Sequence, residues 1–134
     1  MTQDAELKTA IYNKLKSTGD FNTNIGGRIY FQQAPDSPTF PYCVYSIYAD
    51  TNSFDSGNQW EELFIQFSIF DDSKDSGAVL DGLTSNLIDL LYDATLTFTN
   101  YSQIGFWRIA KRSLFSEEKI WHKIIEYRIE MEHN

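Results

Sequence analysis

The chain reads as an α+β protein: a mostly antiparallel or mixed sheet of about five strands packed by two helices. Three observations predict this. Apolar residues recur at helical spacing in two separate stretches, Leu7-Ile11-Leu15 and Leu80-Leu83-Leu87-Leu90. Strict two-residue alternation marks Glu61–Phe70 and Trp121–Glu132 as strands. The strands also follow one another in sequence pairs, without the regular β-α alternation that a parallel doubly wound sheet requires.

The first helix is predicted over Asp4–Lys16, with Leu7, Ala10, Ile11 and Leu15 on its apolar side and Lys8, Asn13 and Lys16 facing away. Thr2 or Asp4 suits its cap, and Gly19 the left-handed position past its end. Gly26-Gly27 turns into a short strand, Arg28–Phe31. Ala34–Pro41 then holds all three prolines, and residues without an N–H cannot extend a ladder. Tyr42–Ala49 is rich in Tyr, Val and Ile and reads as a strand. Asp50–Asn58 reads as a polar excursion, longer than a tight hairpin loop. In the next strand Leu63, Ile65, Phe67 and Ile69 share a face, opposite Gln66 and Ser68. The second helix runs from Gly77 to Tyr92. A short strand is expected at Thr95–Phe98. A further one covers Phe106–Ser113, with Trp107 and Ile109 on one face. In the last strand Trp121, Ile125, Tyr127, Ile129 and Met131 oppose His122, Glu126, Arg128, Glu130 and Glu132.

At 134 residues the chain fits one domain, 1–134, with ordinary globular composition: 42% hydrophobic and 22% charged. Aromatics reach 16%, which both a core and a contact surface would explain. The net charge of −8 opposes tight binding to phosphate backbones, and the one short basic cluster is Arg108, Lys111 and Arg112. A single cysteine, Cys43, excludes an intrachain disulfide, and with only two histidines there is no zinc pattern. No apolar run approaches the roughly 18–20 residues that span a bilayer. The polar, acidic start is unlike a secretory signal, so a cytoplasm-like compartment is expected and the Asn100-Tyr101-Ser102 sequon carries no weight.

The search for chemistry ends without a catalytic, cofactor or metal site. Asp71, Asp72 and Asp75 are the densest carboxylates, but they lack the spacing, glycine and distal Glu of a calcium loop and suit a helix start better. His122 and Glu126 share a strand face, as a base and its orienter would. No Ser or Cys nucleophile accompanies them, and a solvated strand face is the plainer reading. Gly26-Gly27-Arg28 lacks the Gly-Lys-Ser/Thr of a phosphate loop and follows a helix. Cys43, inside an apolar run, reads as a buried structural thiol.

Several short signatures appear in a recognisable order: Gly26-Gly27-Arg28-Ile29-Tyr30, Ala34-Pro35, Phe40-Pro41-Tyr42-Cys43-Val44-Tyr45, Phe64–Asp71, a Leu-bearing helix and Tyr127-Arg128-Ile129. Over most of its length the chain thereby resembles the tail-completion (tail-terminator, head-to-tail joining) proteins of long-tailed bacteriophages. It departs from them in its wealth of aromatics and its thinner set of helical alanines. The resemblance implies a structural virion protein, not an enzyme, with no cofactor. It implies a ring of identical subunits, a hexamer, at the head-proximal end of the tail, assembled in the host cytoplasm. The ring would touch the tail-tube protein and the head-tail connector, and DNA would pass through it without specific binding or any membrane. An acidic lumen wall suits such passage.

Within that reading Asp50–Asn58 is the expected docking element, since loops held out by a scaffold concentrate binding residues. Its candidate contact residues are Asp50, Phe54, Asp55, Asn58 and, at its base, Trp60. Phe54 is a large apolar residue in a polar run, the kind that anchors contacts, whereas Trp60 fits simple packing on the sheet equally well. The alternatives are another tail, connector or secretion-apparatus subunit, or a small-molecule-binding domain using His122.

Overall fold

A computed structural model of the chain describes residues 3–55, 58–75, 77–115 and 119–133, with the side chains of 3–4 and 49–59 left aside. Helix α1 spans Gln3–Leu15 and buries Leu7, Ala10, Ile11 and Leu15, the stripe its spacing predicts. The expected caps Thr2 and Asp4 lie outside the described residues and side chains. Gly19 is not the left-handed stop predicted for α1: its φ of 161° is extended, and it opens a second helix, α2, Asp20–Ile25. This short helix was not foreseen, so among the described residues three helices, not two, accompany the sheet. It forms because Phe21 and Ile25, one turn apart, are both buried, and it packs on the later helix α3. Gly26 closes it at φ 68°, a left-handed position that favours glycine.

The sheet has five strands in the order β1-β2-β3-β5-β4. They are β1 (Ile29–Phe31), β2 (Tyr42–Asp55), β3 (Asn58–Asp71), β4 (Tyr101–Phe115) and β5 (Trp121–His133). Only the β1–β2 contact is parallel, so the sheet is mixed and mainly antiparallel, as expected. The irregular proline segment joins β1 to β2, with a cis Phe40–Pro41 bond. Helix α3, Ala78–Leu91, follows β3. One sheet face carries Cys43, Tyr45, Leu63, Ile65, Phe67, Ile69, Ile125, Tyr127, Ile129 and Met131, all buried with the helices' apolar residues in one core. The predicted alternation of β3 and β5 is therefore the alternation of core and opposite face. The Tyr45 hydroxyl, on this core, donates to the Lys8 carbonyl at 3.1 Å and so ties β2 to α1.

The short strand expected at Thr95–Phe98 does not form. Its backbone is held by side chains: the Gln103 carboxamide accepts from Leu96 N at 3.0 Å and donates to Ala94 O at 2.9 Å. A few residues on, Glu6 accepts from the N–H groups of Thr99 (2.7 Å) and Asn100 (3.1 Å) and from the Asn100 amide (2.9 Å). A segment whose donors and acceptors are met this way needs no ladder partner. Burial pushes the Glu6 carboxyl up, but the hydrogen bonds from Asn100 and Thr99 prevail and hold it below the usual value.

Candidate docking surface

The largest departure from expectation lies at Asp50–Asn58. The polar excursion is not a loop: β2 continues to Asp55 and β3 starts at Asn58, leaving only residues 56 and 57 between them. The register is unbroken from Ala49↔Phe64 through Asp50↔Leu63 and Phe54↔Gln59 to Asp55↔Asn58. Cross-strand pairing of one long hairpin has overridden the low strand propensity of Asp, Asn and Ser. The legible signal was a Ser-Gly dipeptide two residues long, between runs carrying Thr51, Phe54 and Trp60.

The third strand of this part of the sheet, β5, reaches β3 only as far as Trp60↔Glu132. Past that pair, Phe54↔Gln59 and Asp55↔Asn58 continue the hairpin as an arm with no β5 partner among the described residues. Of the predicted contact residues, Phe54, Asp55 and Asn58 occupy the arm, and Asp50 and Trp60 its root. The side chains of the first four lie outside the described ones. Trp60 is half-buried opposite Ser53 and Glu132, and its buried Nε1 finds no acceptor among the described residues.

The outer edges of the sheet are unequal. β4 ends the strand order and, among the described residues, pairs with β5 alone. On the other side β1 covers β2 only at Cys43–Tyr45, so Ser46–Asp55 has no strand outside it among the described residues. Both edges are bulged. The ladder skips Tyr48 in β2 and Ile104 and Ile109 in β4, since their neighbours pair across them. Those three residues are also among the large apolar side chains left in solvent, at 47%, 45% and 47% exposure. A bulge leaves one residue without a cross-strand mate and re-aims it. Trp107 faces Arg128, whose guanidinium lies 4.6 Å from the indole centre, and Ile109 is the skipped residue. Sequence reading placed Leu114 and Phe115 in no strand, yet both end β4, half exposed.

The basic cluster Arg108, Lys111 and Arg112 lies wholly on β4, which carries no acid. Arg112 pairs with Glu126 across the ladder at 3.2 Å. That contact engages the carboxylate once considered as the orienter of His122. His122 instead stacks on Phe70, ring centres 4.1 Å apart, and burial with nearby Arg112 pushes its pKa down. Asp75, from the acidic triplet, accepts from the N–H groups of Gly77 and Val79 at 3.1 Å each and caps the start of α3. Asp71 accepts from the backbone N–H and hydroxyl of Ser73, a local turn. Among the described residues no group of three or more His, Cys, Asp or Glu is placed to hold a metal. Cys43 is fully buried, and burial pushes its thiol up to about 12, which leaves it inert at neutral pH.

A groove of about 720 Å³ opens beside β4, between its Gln103–Arg108 stretch and the end of α3. Its chemistry is mixed and holds no convergent acid–base pair; it is a channel along a strand edge more than a pocket. The arrangement as a whole combines a hairpin arm, two bulged edges with exposed apolar residues, and a basic β4.

The family model for "Tail completion protein gp17" matches residues 9–132. Among solved structures, a chain of the "Virion of native gene transfer agent (GTA) particle" shares this fold, with a TM-score of 0.81 at 17% identity over 98% of this chain and 99% of that one. No curated protein sequence matches.

Proposed function

Because the chain belongs to the tail completion protein family, we propose that it forms a ring of identical subunits at the head-proximal end of a phage tail. The ring, a hexamer, ends growth of the tail tube and joins the tail to the head connector. It acts as structure and carries out no reaction. The observation that carries this reading is the family match over residues 9–132. The geometry supports it, because a long hairpin projecting past its sheet is a means of reaching a neighbouring protein. In this reading Asp50, Phe54, Asp55, Asn58 and Trp60 meet the tail-tube or connector protein, or the next subunit. The net charge of −8 lets DNA slide through the lumen, because a wall of like charge offers no counterion release.

Native mass spectrometry of the purified chain from low to high micromolar concentration tests the ring. A closed hexamer is expected. A stable dimer or tetramer would refute the hexameric ring, and long open polymers would identify a tube subunit instead.

A further inference from the structure

Every strand edge in a sheet presents unpaired N–H and C=O groups, and long exposed edges pair with other chains unless something prevents it. This sheet has two such edges, and they differ in charge. β4 carries Arg108, Lys111 and Arg112 and no acid. The uncovered part of β2, Ser46–Asp55, carries Asp50 and Asp55 and no base. Like charge opposes β4 pairing with β4, while opposite charge favours β4 with β2, so the two edges select a head-to-tail contact over a two-fold one. Head-to-tail contacts between identical subunits are the kind that close rings.

The strand directions agree with this. Successive neighbours β2, β3, β5 and β4 are all antiparallel, so β4 runs opposite to β2. A copy turned about a ring axis keeps the direction of strands that run along that axis, and its β2 would then meet β4 antiparallel. The levels along the sheet also correspond. Arg108 stands opposite Tyr127, Tyr127 opposite Ile65, and Ile65 opposite Ile47. Asp50 stands opposite Leu63, two residues from Ile65 along β3. A stagger of two residues therefore brings Asp50 of one copy level with Arg108 of the next. An even stagger keeps core and outer faces in phase, and a sheet that closes on itself needs such a shear.

We infer that adjacent subunits are joined edge to edge, the Ser46–Asp55 half of β2 in one copy adding antiparallel to β4 of the next, so that the sheet continues from subunit to subunit. The inference rests on the ring reading and names its contact. Exposed Ile104 and Ile109 of β4 and Tyr48 of β2 are then the apolar residues that the joint covers.

The test mixes two separately purified full-length variants. One carries a cysteine on β2 (A49C, T51C or S53C, to span neighbouring registers), the other A110C on β4. Native Cys43 is buried and stays silent. Oxidation is expected to give a disulfide-linked heterodimer for at least one β2 position and none with T9C, on the exposed side of α1. In parallel, R108E with K111E, both exposed and outside the Arg112–Glu126 pair, is expected to weaken assembly on the order of a hundredfold. Adding D50K, which stands level with position 108, to the same chain is expected to restore part of it. Hexamers by native mass spectrometry with no β2–β4 cross-link, or unaffected by the charge reversal, overturn the edge joint and leave the ring intact. A chain that stays monomeric and forms no cross-link at any concentration overturns both.

Discussion

Two glycines five residues apart are expected to respond to the same substitution with opposite signs. Gly77 sits just before α3 at φ 82°, ψ 14°, left-handed backbone that costs an L-residue about 1–2 kcal/mol. A Cβ there would lie 3.7 Å from the Trp121 ring, ordinary contact, so the loss in Gly77→Ala comes from the backbone and not from a clash. Gly82 lies inside α3 with nothing within 4 Å of its Cβ position. Gly82→Ala removes only the entropy penalty of helical glycine, a gain of about 0.5–1 kcal/mol. For 134 residues at about 2.1 cal/mol/K each, the unfolding entropy is roughly 0.28 kcal/mol/K, or about 3.5 °C per kcal/mol. Thermal unfolding followed by far-ultraviolet circular dichroism should show Gly77→Ala down roughly 4–7 °C and Gly82→Ala up roughly 2–4 °C. A neutral Gly77→Ala, or a Gly82→Ala that melts lower, would refute the reasoning.

Glu6 is held below the usual carboxyl range in the fold, so its contribution to stability is complete above the unfolded value and fades as pH falls through the folded one. Denaturant titrations should find Glu6→Gln less stable than the parent at pH 7 and equal to it in strong acid. His122 is likewise depressed, so the unfolded chain takes up its proton first as pH falls below about 6.5, which favours unfolding. His122→Phe, which keeps a ring against Phe70, should flatten the stability curve between about pH 6.5 and 5. Trp121 Nε1 donates to Ser73 O at 3.1 Å, and Trp121→Phe should cost about 1–2 kcal/mol in urea unfolding. A Cβ on Gly105 would overlap the Trp107 indole, so Gly105→Ala should move that ring off Arg128 and change its fluorescence with little loss of stability.

What could be read from the sequence depended on how locally each element is determined. The alternation in β3 and β5 and the leucine stripe of α3 record burial residue by residue, and those elements stand where the pattern put them. Helix α2 has six residues, two of them Asn and one Thr, and its stability comes from Phe21 and Ile25 packing on α3. The ends of β2 and β3 toward their turn, Asp50–Asp55 and Asn58–Trp60, did not read as strand for the same reason. Asp50, Asn52, Ser53 and Asp55 have low strand propensity, and it is their partners in the ladder that keep them extended. The bulges at Tyr48, Ile104 and Ile109 depend on two strands at once, and no single run of sequence announces them. At Asp50–Asn58 the sequence showed a loop where the fold builds an arm.

That difference of form changes what the arm can do. A loop gains affinity only through side chains and loses entropy when it is ordered, whereas an arm presents aligned backbone groups already set at strand spacing. Two strands alone are marginal in water, and past Trp60 the β2–β3 hairpin has no β5 partner among the described residues. A third strand or a protein surface supplied from outside would complete it. At the opposite edge, β4 is a long strand whose outer side also lacks a neighbour among the described residues. Each edge has what the other needs, yet within one chain β3 and β5 stand between them. In the edge-to-edge joint proposed for the ring, a second copy supplies each edge with the other, and assembly then follows from how the monomer's strands are ordered.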